Sequence, residues 1–387
     1  MTKYCLQGPE SQKGARQLLE NALVENRFPQ AVLIEGERGI GKKALAIELA
    51  KTLCCTDSET APCGHCFGCK LAMDPGNVQS WVIPLETAEA NAKSASSASE
   101  NSKANAKSAS SASENSKAKT VEDYKAGYVA EIFKNPYSTS IISSVAQISV
   151  DQIRSMMSQF SRASEGVRVV IIAEADRMNE AAANALLKTL EEVPTNTYFI
   201  LTSSVAGRLL QTIRSRCLSL RLPPLSTAEV EEIVKNTTGE SLSPDALGMS
   251  LGSPGMAMYY NENIAENETL AFEFLKDSVE GNYSDLFFEL DKAFPRGAAA
   301  ADAAVMMLDF LAFMLNDALR LMAKEPVRLV DRRESLEQLD LGRFGAEAIE
   351  KAILDVNSTA AKIAGRKNSA IVALQTLSIG LFEGYKR

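Results

Sequence analysis

The sequence predicts an α/β domain with a parallel sheet, followed by a region built of helices alone. Short apolar runs alternate with stretches of helical spacing as far as Leu222, a glycine-rich turn joins the first run to the next helix, and beyond about Asn263 only helical periodicity remains. At about 150 residues per domain, a chain of 387 residues holds two or three domains, each large enough to bury its own core.

Residues 14–26, GARQLLENALVEN, have helical spacing, AVLIE at 31–35 is a short apolar strand, and ALAIELAKTL at 44–53 resumes the helical period. A cysteine cluster comes next, then a tandem repeat in which residues 91–104 and 105–118 both read NAKSASSASENSKA. The repeat has no apolar side chain larger than Ala, so burial cannot offset its ordering entropy, and it reads as a disordered, low-complexity insertion over about 87–120. Order returns by ISVDQIRSMMSQF (148–160), a helix whose first-turn Asp151 suits the positive end of the helix dipole. The strand VRVVIIA (167–173), the helix NEAAANALLKTLEEV (179–193) closed by Pro194, and the strand YFILTSS (198–204) complete the alternation, which Leu222-Pro223-Pro224 ends. STAEVEEIVKNTTG and the residues to about 262 read as a small helical unit, punctuated by Gly252-Ser253-Pro254-Gly255. Residues 263–387 read as a separate all-α domain. Its most membrane-like stretch, Ala303 to Ala323, is broken by Asp309, Asn316, Asp317 and Arg320 and reads as a buried helix, since charge is costly in hydrocarbon.

The chain is 45% hydrophobic and 23% charged, the proportions of an ordinary soluble protein, which excludes bulk disorder and a membrane-spanning architecture. Lys and Arg total 41 against 49 Asp and Glu, a net charge of -8, so tight DNA binding by this chain alone is disfavoured. The start, MTKYCLQGPESQKG, carries neither the basic nor the apolar segment of a secretory signal. The expectation is a reducing, cytoplasmic setting, where seven cysteines mean metal ligands or free thiols.

Gly36-Glu37-Arg38-Gly39-Ile40-Gly41-Lys42 fits the phosphate-binding loop pattern G-x-x-x-x-G-K, with the required strand before it and helix after it. Glycines are needed because backbone N–H groups must turn inward around an anion at a helix N-terminus, while Lys42 reaches toward the outer phosphates. Gly36, Gly39, Gly41 and Lys42 are therefore candidate nucleotide-binding residues. Hydrolysis in this class also needs Mg²⁺, held by a Ser or Thr after that lysine and by an Asp ending a later strand. Here Lys43 takes the place of the hydroxyl and Ala173 that of the Asp, followed by Glu174 at the position of the catalytic carboxylate, so the cradle reads as degenerate. A fixed ammonium opposes the cation and no carboxylate compensates, so hydrolysis loses most of its electrostatic stabilisation. Asp176 serves as a ligand only if the strand runs longer; its ordinary role is a first-turn helix acid.

Cys54, Cys63, Cys66 and Cys69 are separated by eight, two and two residues, and the short gaps suit a grip on a single tetrahedral metal, with Gly64 letting the turn close. Four thiolates read as a structural Zn²⁺ site with no open position for catalysis. An iron–sulfur cluster, the rival, places its fourth cysteine downstream and before Pro. Cys55 competes with Cys54 as the first ligand, and His65 reads as a solvent-facing turn residue.

PQAVLIEGERGIGKK, the cysteine tetrad, ISVDQIR, VRVVIIAEADRMNEAAANALLKTLEEVP and RLLQTIRSRC, in that order, resemble the bacterial DNA polymerase III clamp-loader AAA+ family. The resemblance covers about residues 10–260 apart from the repeat, and NALLKTLEE and Ser215-Arg216-Cys217 are its most specific parts. The C-terminal helices match by architecture only. In that family the gamma and tau motor subunits keep the Mg²⁺-binding hydroxyl and Asp, whereas the delta-prime type typically lacks them, so Lys43 and Ala173 direct the resemblance to the delta-prime type. A hydrolysing gamma/tau-like ATPase is the alternative.

The resemblance implies an AAA+ α/β domain over 1–222 carrying a zinc module at 54–69, a small helical lid over 223–262 and a helical collar over 263–387 that joins a hetero-oligomeric ring. The implied partners are gamma or tau and delta subunits, with the sliding clamp and primer–template DNA reached through the complex, within a DNA polymerase holoenzyme and away from any membrane. Arg216 is the implied arginine finger, directed in trans at ATP and Mg²⁺ in the neighbouring subunit; Arg214 lies outside the Ser-Arg-Cys frame. Such a guanidinium stabilises charge spread over the transferring phosphoryl group and is worth on the order of 10³ or more in rate.

Overall fold

A computed structural model describes residues 3–57, 59–74, 76–77, 80–85, 121–139, 146–160, 166–294, 298–365 and 369–383. The tandem repeat lies outside the described residues. Two compact units divide the chain: Met1–Thr237 with Gly252–Met256, and Thr238–Leu251 with Ala257–Arg387.

The first unit contains β1 (Lys3–Tyr4), α1 (Lys13–Val24), β2 (Ala31–Glu35), α2 (Lys42–Cys54), β3 (Thr60–Ala61), α3 (Phe67–Ala72) and β4 (Trp81–Val82). It continues with α4 (Val121–Lys134), α5 (Val150–Phe160), β5 (Arg168–Ile172), α6 (Glu180–Glu191), β6 (Thr197–Ser203), α7 (Gln211–Arg214), β7 (Leu218–Arg221) and α8 (Thr227–Thr238). Five strands form one parallel sheet in the spatial order β4-β5-β6-β2-β7, and β1 pairs with β3 apart from it. The expected α/β alternation is thus present.

The strand before the glycine-rich loop, β2, lies between β6 and β7, with Ile34 opposite Thr202 on one side and Leu220 on the other. A parallel strand with neighbours on both edges and cover on both faces is apolar throughout rather than alternating, which is why AVLIE reads as an unbroken run. Against the sheet, α6 turns Ala182, Leu186 and Leu190, spaced by four residues along one face, into a core shared with Leu33, Ile172, Phe199 and Ile213. Asn179 starts that helix by accepting the Ala182 N–H at 2.8 Å. Ser149 and Gln152 start α5 reciprocally: the Ser149 N–H donates to Gln152 Oε1 at 2.9 Å and the Gln152 N–H to Ser149 Oγ at 3.4 Å.

The described residues take up again at 121, just past the insertion of about 87–120, with a helix that the sequence reading does not name. Helix α4 precedes residue 148, and it is anchored by Tyr128, Val129 and Ile132, all buried. A mean apolar content diluted by Glu, Asp and Lys, next to a low-complexity stretch, hides that face in the sequence.

The second unit is all-α, with α9 (Pro244–Met249), most of α10 (Pro254–Glu280), α11 (Tyr283–Ala293), α12 (Ala298–Met322), α13 (Arg333–Leu339), α14 (Ala346–Ala364) and α15 (Ala370–Gly380). Helix α10 runs unbroken through residues 262 and 263, where the sequence reading divides lid from collar. Helix α12 buries Met307, Leu308, Leu311, Met314 and Leu315, as expected of the apolar stretch. Its polar interruptions fasten the chain that follows. Asp317, fully buried, accepts the N–H groups of Arg328 at 3.0 Å and Leu329 at 2.7 Å, and Arg320 Nε donates to the Pro326 carbonyl at 2.7 Å. Among the described residues no helix is long and apolar enough to cross a membrane.

Phe199 is 0% exposed on a strand flanked on both sides. Phe199→Ala is expected to cost about 3–5 kcal/mol, read as a lower urea midpoint, because the site cannot collapse onto the cavity. Leu18→Ala, at a side chain 45% exposed, should stay within about 0.5 kcal/mol.

Candidate functional site

The loop leaves β2 at Glu35 and enters α2 at Lys42, with Gly41 as the N-terminal cap residue at φ 106°. A side chain there is excluded twice, by the left-handed backbone and by Tyr137, whose ring would lie 2.8 Å from a Cβ. Gly39, at φ 74°, is held against Ser253 in the same way. Lys42 is 7% exposed, and its Nζ donates to the carbonyl oxygens of Gly36 at 2.8 Å and Glu37 at 2.6 Å, so the ammonium is turned onto its own loop. Lys43 Nζ donates to the Ser138 carbonyl at 2.8 Å and lies 5.6 Å from the centre of the Tyr128 ring. Burial pulls both amines down, each to about 8, against the opposing pull of the Glu174 carboxylate.

At the end of β5, Ala173 is wholly buried where a metal-binding carboxylate would stand. Glu174 takes a left-handed backbone at φ 51°, donates its N–H to Thr202 Oγ1 at 3.0 Å and pairs with Arg177 at 2.7 Å. Asp176 sits in the first turn of a short 3₁₀ helix and accepts the Ser204 N–H at 3.1 Å, a structural task. Gly39, Gly41, Lys42, Lys43 and Glu174 meet around one small cavity of about 30 Å³, together with Tyr137, Ser138, Thr139, Thr202 and Ser204. Sequence spacing gives no sign of the residues from 137 to 139, because they enter the site from beyond the repeat.

Arg216 does not line this cavity. It follows α7, exposed, with Nη2 2.7 Å from Glu191 Oε1 and Nη1 donating to the Thr212 carbonyl at 3.1 Å.

Near the C-terminal end of α2 the sulfur atoms of Cys55, Cys63, Cys66 and Cys69 lie within 4.8 Å of one another, and all are free thiols. The Sγ separations are 4.0 Å for Cys63–Cys69 and 3.9 Å for Cys55–Cys66. Thiolates about 2.3 Å from a tetrahedral metal stand about 3.8 Å apart, so the donor set fits a metal ion with little rearrangement. Backbone N–H groups of Cys63, Cys66 and Cys69 donate to the sulfurs of Cys55, Cys63 and Cys66 at 3.4, 3.3 and 3.4 Å. Hydrogen bonds from the backbone of Thr56 and Cys69 draw the Cys66 thiol down to about 5.

The cluster takes Cys55 where the sequence reading preferred Cys54. Cys54 is the last residue of α2, whereas Cys55 is already extended at ψ 131° and turns back to the group. Gly68 in α3 packs so closely on the Cys54 carbonyl that a Cβ would collide with it, which fixes the module to the end of α2. His65 is exposed, its Nδ1 3.0 Å from the Cys63 carbonyl oxygen.

The family described as "DNA polymerase III, delta subunit" matches residues 11–226. The delta' subunit of DNA polymerase III from Escherichia coli is 28% identical over 304 residues, spanning 76% of this chain and 71% of that protein. Its Haemophilus influenzae counterpart is 30% identical over 234 residues, 59% of this chain and 54% of that one. The chain belongs to the DNA polymerase III delta-prime clamp-loader family. The tau/gamma subunit from Haemophilus influenzae is also similar, 29% identical over 215 residues that make up 55% of this chain and 23% of that protein.

In this member of the clamp-loader family the phosphate loop is intact in shape and carries two crowded, partly desolvated ammonium groups. The folded chain releases those protons near pH 8 and the unfolded chain near 10.5. In between, the unfolded state binds more protons, so these lysines make stability rise with pH over that window. Replacing Lys43 by Met is expected to remove on the order of 2 kcal/mol of the gain between pH 8 and pH 10, read from urea unfolding curves at the two pH values.

Proposed function

We propose that the chain is a largely non-hydrolysing clamp-loader subunit that assembles with gamma or tau and delta subunits and lends Arg216 to the ATP of its neighbour. The observation that carries this reading is the loss of both metal-seating groups at once: Lys43 projects an ammonium onto Ser138 where a hydroxyl would face Mg²⁺, and Ala173 is buried where an Asp would stand. With neither group, a triphosphate in this loop lacks the cation that neutralises its developing charge. ATP and Mg²⁺ then belong to the adjoining subunit, and this chain contributes to loading the sliding clamp on primer–template DNA during replication, in the cytoplasm.

Arg216 suits the finger role because it is exposed and held by little: an accessible Arg–Glu pair is worth about 0–1 kcal/mol, so leaving Glu191 for a phosphate costs almost nothing. Its planar fork then spans two phosphoryl oxygens. The all-α second unit supplies the collar through which the ring is held, while the lid draws on α8 of the first unit and α9 of the second, with the division near residue 262 crossed by α10.

Cys55, Cys63, Cys66 and Cys69 are assigned to a structural zinc ion, which when bound supplies folding energy to a segment with few apolar contacts of its own. The chain's own part is to present four sulfurs with three of them already receiving backbone N–H groups.

In a complex reconstituted with gamma or tau and delta subunits, Arg216→Ala is expected to leave assembly intact and lower DNA-stimulated ATP turnover at the site it serves by roughly 10³-fold or more. The isolated chain should show no turnover; unchanged rates in the Arg216→Ala complex, or turnover by the chain alone, would count against the assignment. Removing the metal with a strong chelator should lower the melting temperature of the wild type, with one zinc per chain measured before treatment, and leave Cys63→Ser indifferent to the chelator.

A further inference from the structure

The cradle of the phosphate loop already holds something. Past the end of α4, Asn135 builds a tight turn, its Oδ1 accepting the Tyr137 N–H at 3.0 Å and its carbonyl the Ser138 N–H at 3.1 Å. The turn lays Tyr137, Ser138 and Thr139 across the loop. The Tyr137 ring covers Gly41, and its carbonyl oxygen presses on Gly255 so closely that a Cβ there would collide with it. The Ser138 carbonyl, on a residue 8% exposed, receives Lys43 Nζ at 2.8 Å, and the Thr139 carbonyl receives the Arg38 guanidinium. Both contacts deliver an acceptor to a cation of the loop, which is the chemistry a phosphate oxygen offers. A space of about 30 Å³ remains between the peptide and the loop.

We propose that Tyr137–Thr139 is an internal ligand of the phosphate loop, with carbonyl oxygens in the place of phosphate oxygens, so that the loop is held in its ordered shape without nucleotide. The inference rests on the non-hydrolysing reading and extends it: the triphosphate itself is excluded, and the excluding element is this chain's own peptide. Lys43 then has a task as well as a deficit. It is the donor that pins the peptide, and the Tyr128 ring of α4 supports it from the other side. Because Tyr128, Val129 and Ile132 anchor α4 in the core, the peptide is delivered by a fixed element.

The test uses the full chain, ATP in the presence of EDTA, and hydrogen exchange at the backbone amides of residues 39–43. In the wild type these amides should be protected, and millimolar ATP should leave them unchanged. In the double variant Tyr137→Gly with Lys43→Met, exchange at 39–43 should rise about tenfold or more, while the amides of Phe199 and Ile200 in the sheet stay as slow as in the wild type. Unchanged exchange at 39–43 in the folded double variant overturns the proposal. If that variant does not fold, the wild type decides alone: altered exchange at 39–43 with submillimolar ATP overturns the proposal, and indifference to millimolar ATP supports it. Either outcome leaves the role of Arg216 untouched, since that role is read from turnover of the assembled complex.

Discussion

Two ammonium groups set side by side at the positive end of a helix are the constraint from which the site follows. The N-terminus of α2 already carries unpaired N–H groups and half a positive charge, and Lys42 and Lys43 add two more cations to it. Without an anion they must find neutral acceptors close by. Lys42 finds them in the carbonyls of Gly36 and Glu37, Lys43 finds one in Ser138, and Glu174 contributes an opposing charge while tied to Arg177. A loop shaped for phosphate thereby becomes a loop closed by peptide.

Much of this was legible in the sequence because it depends on features that leave local marks. Buried parallel strands leave unbroken apolar runs, left-handed turns leave glycines at 39 and 41, and a missing carboxylate leaves Ala173. What stayed hidden depends on contacts between distant residues. Tyr137 and Ser138 lie about a hundred positions from the loop they touch, and only the path of α4 brings them there. The choice between Cys54 and Cys55 was beyond spacing for a smaller reason: it turns on which residue ends α2, and helix ends are the least certain feature of a periodic pattern. The Ser-Arg-Cys frame marks Arg216, yet nothing local marks Glu191, the last residue of α6, which pairs with it from 25 positions earlier in the chain.

Helix α2 joins the two parts of the first unit that carry chemistry. Its first residues line the loop, and its last carbonyl is where Gly68 seats the cysteine module. Cys69 Sγ also lies 3.6 Å from the Lys51 carbonyl, so the module touches the last turn of α2 at two points.

The order of strands has a consequence for how the chain is made. Residues 31–35 find their partners only at 197–203 and 218–221, so β2, a strand with neighbours on both edges, is the earliest of the five to be synthesised and among the last to be satisfied. At about 5–20 residues per second, it leaves the ribosome roughly 8–30 s before its first neighbour exists. Both of its edges are open to any other strand during that interval. The spacer added by the repeat lengthens the wait, although closing the longer loop costs only about 0.6 kcal/mol per doubling of its length. Fidelity in the nascent chain, more than stability in the finished one, is where this topology is exposed.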